Sequence, residues 1–143
     1  MLITLHAIAG TVALLAGSVA HRGRVLFGVY FWALVACVGF LAAAVREGWA
    51  EYDGVTRPLF GALAVLGVVM VALAASARRL ALSPAYVDRV GFTLVALFDA
   101  FIVVFVLNLG APVAVVVGSG VAVGIAGHFV LRAARAGLVP ATA

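Results

Sequence analysis

Few residues in this chain carry groups able to do chemistry, and the sharpest is Asp99, a carboxyl near the middle of the apolar stretch from Val90 to Leu109. On insertion scales an acid at such a depth costs on the order of 2.5 to 3.5 kcal/mol. The stretch is still expected to insert, because it holds fourteen Phe, Ile, Leu and Val residues. At about −0.4 kcal/mol each, these contribute roughly −6 kcal/mol. An acid tolerated there is expected to face other helices or a wet cavity. Counting outward from a reversal at 110 to 112, the Ser119 hydroxyl comes within about a turn of the same height and is the nearest partner. Asp99 and Ser119 thus make one candidate site, read either as a proton or ion relay or as an interhelical hydrogen bond that fixes packing.

Histidines are the second candidate. His6, Gly10, Ala13, Gly17 and His21 recur at helical spacing along one small-residue stripe of the first apolar stretch, and Gly120, Gly124 and His128 form a similar stripe on the last. Gly10, Gly17, Gly120 and Gly124 are read as helix-packing positions, with His128 facing protein. His21 and His128 both fall near the basic ends of their stretches, so together they could hold a haem b between the first and fifth helices, as an electron-transfer or quinone-linked membrane subunit would. His6 lies about 22 Å of helix rise from His21 and has no histidine at its own height.

The remaining reactive residues point away from an enzyme. Cys37 is the only cysteine and sits in an apolar run, where it reads as a small packing residue. No His-x-x-His, Cys-x-x-Cys or Glu-x-x-His spacing occurs, so no metal site is expected, and no cofactor beyond the haem just considered. Ser18, Ser76, Ser83 and Ser119 lie outside any Gly-x-Ser-x-Gly elbow, and Gly118-Ser119-Gly120 is read as a close helix crossing.

These residues are carried by elements that water alone does not suit. The 143 residues are 67% hydrophobic and 10% charged, with a mean hydropathy of +1.32, too little polar surface to cover a soluble globule. A crossing takes about 20 apolar residues. The pattern predicts a single all-α membrane domain over 1–143, with five transmembrane helices at about 2–20, 25–45, 58–77, 90–109 and 112–131. Residues 18–20 resemble a leader-cleavage site, but no basic residue precedes the first stretch, so it is expected to be retained. Pro58 suits a helix start, residues 80–89 a short polar connection, and Asn108, Gly110 and Pro112 a tight reversal.

All nine basic residues are arginines, scattered near span ends and not gathered on one face, which argues against nucleic acid. The connection at 21–24, the connection at 78–89 and the tail with Arg132 and Arg135 share one side. The other side receives Glu47, Glu51 and Asp53 against Arg46 and Arg57, in an interfacial loop with Trp49 and Tyr52. By the positive-inside rule the N-terminus is outside and the C-terminus cytoplasmic, in the cell membrane.

His6, Gly10 and Gly17, followed by His21, Arg22, Gly23, Arg24 and an aromatic second span, resemble the opening of an uncharacterised family of small prokaryotic polytopic membrane proteins. The likeness covers the first two spans, and this chain lacks the spacer between the His-Arg and Gly-Arg pairs. It implies a fold type and no chemistry. The leading expectation is a non-catalytic accessory bundle, self-associating or packed in a larger membrane complex; the haem subunit and a small transporter centred on Asp99 are the alternatives.

Overall fold

A computed structural model shows an all-α chain: α1 (Leu2–Ser18), a single 3-10 turn (Ala20–Arg22), α2 (Arg24–Gly48), α3 (Thr56–Ala77), α4 (Pro84–Asn108) and α5 (Val113–Ala136). It describes every residue except Asp53, Val55 and 139–143, and every side chain of the helices except those of Thr56, Leu59 and Leu107. Five helices and no strand among the described residues agree with the expected class. The helices α2 to α5 are each long and apolar enough to cross a membrane. With 17 residues, α1 rises about 26 Å, slightly short of a 30 Å hydrocarbon core. The chain divides into two compact units, Met1–Arg78 and Arg79–Ala143.

In the first unit α2 packs against both α1 and α3. The α1 helix brings small residues, with Gly10, Ala13, Ala16 and Gly17 buried, so the helix backbones approach closely. On α2 the buried side chains are larger: Tyr30, Phe31, Leu34, Cys37 and Val45. Between α2 and α3, Val38 lies against Gly67, where an added methyl would stand 3.0 Å from the valine. Just after α2 the Tyr52 ring packs, tilted, on Phe60 of α3 at 4.8 Å.

In the second unit α4 and α5 form an antiparallel hairpin whose register can be read from its contacts. Asp88 pairs with Arg135, Gly91 meets Leu131, Val95 meets Gly127, and Asp99 and Val103 meet Gly120. The α4 partners thus recur every third or fourth residue, one stripe of a helix. The reversal falls at 108–112 as expected. Gly110 takes φ +73°, and the Ala111 N–H donates to the Val106 carbonyl at 3.4 Å, the long closing bond of a Schellman cap.

Two boundaries differ from the sequence expectation. The α4 helix begins at Pro84, not near Val90, because Ser83 accepts from the Tyr86 N–H at 3.3 Å and proline opens the first turn. Similarly α5 runs through Arg132 and Arg135 to Ala136, so these arginines belong to a helix and not to a tail. Hydropathy marks what hydrocarbon surrounds; caps mark where the backbone starts and stops coiling.

Candidate functional site

Asp99 lies on the α4 stripe that faces α5. Its carboxyl stands over Gly120, where an added Cβ would sit 3.4 Å from Oδ1, 3.8 Å from Oδ2 and 3.3 Å from Val103. A methyl at Gly120 would touch the carboxyl at ordinary contact distance, so the acid packs directly against the α5 backbone. Oδ1 is buried and receives no hydrogen bond from the described residues.

The expected partnership with Ser119 is not formed. The Ser119 hydroxyl donates to the Val116 carbonyl of its own helix at 2.7 Å, and it has only one proton to give. The cause is general in this chain: Thr11, Ser18, Ser76 and Thr93 also donate to a carbonyl three or four residues back, at 2.7 to 2.9 Å. A hydroxyl on an apolar helix always has such a carbonyl in reach.

The histidines occupy three different settings. His6 packs between α1 and α2: its Nδ1–H donates to the Cys37 carbonyl at 2.8 Å and lies 3.3 Å from the Cys37 sulfur. This pair was not anticipated, although both residues stand equally far in sequence from the turn at 19–23. An antiparallel pairing about that turn would have found it. Among the described residues no third ligating side chain gathers with it. His21 is exposed in the 3-10 turn of the first unit. His128 is exposed on α5 of the second, its ring edge-on to neighbouring Phe129 at 5.8 Å.

The glycine stripe of α5 also divides. Gly120 faces α4, while an added methyl at Gly124 or Gly118 would meet nothing within 4 Å. Gly124 and His128 therefore do not form the α4 contact. That role falls to Gly127, where a methyl would collide with Val95. On α1, Gly10 and Gly17 are buried as expected.

Among the described residues the ends of each unit differ in charge, the first unit holding unpaired arginines at one end and Arg46 and Arg57 beside its acids at the other. In the first, Arg22 and Arg24 stand at the start of α2, and Arg78, just after α3, lies over the Phe31 ring at 5.0 Å. At the far end of α2, Glu47, Glu51 and Tyr52 help line an open depression of about 330 Å³; Asp53, expected there, lies outside the described residues. In the second unit Arg135 bonds Asp88 at 3.2 Å, and the opposite end is the uncharged 108–112 turn.

No family model, no curated protein and no solved structure matches the chain.

Proposed function

We propose that the chain is a non-catalytic, multi-pass component of a cell membrane that assembles through α5, with itself or within a larger complex. The observation that carries this is the pair Gly118 and Gly124 on α5, the helix that buries none of its 24 residues: a methyl at either would meet nothing within 4 Å. Exposed apolar surface is no argument for assembly in a bilayer, since lipid covers it equally well; close backbone approach is. Gly118 and Gly124 leave that approach open, on parts of α5 that α4 does not use.

Five crossings complete this reading, with α1 spanning a slightly thinned or snorkelled bilayer edge. The charge sorting supports an outer N-terminus, an inner C-terminus and an inner connection at 78–83. The test is assembly size in mild detergent, by native gels and by light scattering. The parent is expected above monomer mass, and Gly118→Leu with Gly124→Leu should bring it down while helix content stays constant. A parent that is monomeric both in detergent and in crosslinked native membranes refutes the proposal.

A second reading is favoured by one specific feature, the buried Asp99 oxygen that no described group satisfies. In it Asp99 is a mid-membrane station for a proton or cation. Liposomes carrying the parent should then show a proton or cation flux that Asp99→Asn abolishes, and a parent without flux removes this reading.

A further inference from the structure

Among the described residues a single arginine is ion-paired, Arg135 of the second unit with Asp88 at 3.2 Å. At the basic end of the first unit no described acid is near: Glu47 lies on the same helix as Arg24 but about 35 Å of rise away. Arg22, Arg24 and Arg78 therefore leave three positive charges without a carboxylate from that unit.

Their surroundings are amphiphilic. Arg78 is laid over Phe31, which is only 8% exposed, so the guanidinium rests on a fixed ring. Phe31 stands about 10 Å of helix rise below Arg24. Between them is Gly28, one turn beneath Arg24 on the same face, and a methyl there would meet nothing within 4 Å. One further turn along, Trp32 is 65% exposed and packs edge-on to Phe31 at 5.4 Å. Reading down this face, Arg24, the open position at Gly28 and the exposed ring of Trp32 follow one another turn by turn, with Arg78 laid on Phe31 beside them. The first turn of α2 adds to the field, since Gly23 provides no side-chain cap for its N–H groups. A free phosphate would use the upper half of this face only. A ligand with a phosphate and an acyl chain would use all of it.

We propose that this face binds an anionic phospholipid, its phosphate held by Arg24 and Arg78 at the Gly28 notch and its chain lying along Trp32. This needs the chain to sit in a bilayer but is independent of whether α5 self-associates.

The test is retention of phosphatidylglycerol over phosphatidylcholine by the full chain, read by native mass spectrometry from mixed micelles. The parent should prefer phosphatidylglycerol. At about 1 kcal/mol per basic residue, R24Q and R78Q should each lower that preference about fivefold. G28L keeps every charge but fills the notch, and should lower it comparably. R132Q removes the same charge from the second unit and should change it by less than about twofold. Equal losses in R132Q and R78Q would mean diffuse charge attraction and overturn the proposal, as would unchanged binding in G28L. Displacement of the lipid by millimolar glycerol phosphate would overturn it in favour of a free-phosphate site. Arg24 is exposed at a helix start, so R24Q keeps the test decisive even if R78Q, which uncovers Phe31, fails to fold.

Discussion

A histidine's worth in this chain depends on what its ring nitrogen meets. His6 donates to a carbonyl of the neighbouring helix at 2.8 Å, whereas His21 is exposed. Losing a hydrogen bond of this kind costs about 0.5–1.5 kcal/mol. His6→Ala is therefore expected to lower the thermal midpoint of the detergent-solubilised protein, and His21→Ala to leave it unchanged. Equal effects of the two would show that the contact with Cys37 contributes nothing. The sequence shows that Asp99 is an intramembrane acid and where it lies along its helix, but not what it touches. Ser119 is at a suitable height, yet height is not contact. Its own helix offers a carbonyl three residues back, and that local bond forms without any help from packing. The His6–Cys37 contact was missed as well: hydropathy places both on helices, and only pairing the helices about the 19–23 turn brings them together.

At the scale of helices, apolar runs locate the elements well and their ends poorly. The start of α4 was hidden because Tyr86, Asp88 and Arg89 dilute the hydropathy of its first turns, although Ser83-Pro84 is a capping sequence. Glycine spacing had a similar limit: Gly120-x-x-x-Gly124 marks a small stripe, but only the hairpin register tells that Gly120 and Gly127 face α4 while Gly124 does not. This difference is testable. Gly127→Val forces added methyls onto Val95 and should destabilise the α4–α5 hairpin by about 1–3 kcal/mol, the usual range for overpacking. Gly124→Val meets open space and should cost only the small helix-propensity difference, which for valine in place of glycine is near zero or favourable. Hydrogen exchange along α4 and α5 in micelles reports both. Protection lost equally in the two variants would mean that the register is wrong. At Gly110 the demand is on the backbone instead: φ of +73° costs an L-residue roughly 1–2 kcal/mol, so Gly110→Ala should loosen the reversal without touching the helix interface.

At the scale of the whole chain, the contacts define two units joined at Arg78 and Arg79, a division that hydropathy does not reveal because every span is equally apolar. What the spans do reveal is charge sorting. Arg22, Arg24 and Arg78 mark one end of the first unit, where no described acid stands, and Glu47 and Glu51 with Arg46 and Arg57 the other, while Arg132 and Arg135 mark the end of the second unit that carries Asp88. The chain passes from unit to unit between two arginines, so the connection at 78–83 inherits the basic character of both. If lysine and arginine bias sets orientation here as it does generally, positions 51 and 82 lie on opposite faces of the membrane with α3 between them. Glu51 and Leu82 are both exposed, and cysteine can be placed at either in a Cys37→Ala background. A membrane-impermeant maleimide applied to intact cells should label Glu51→Cys and spare Leu82→Cys, which should react only after permeabilisation. The reverse pattern would invert the orientation and place the arginines outside. Labelling of both from one side would mean that α3 does not cross, which leaves at most four crossings.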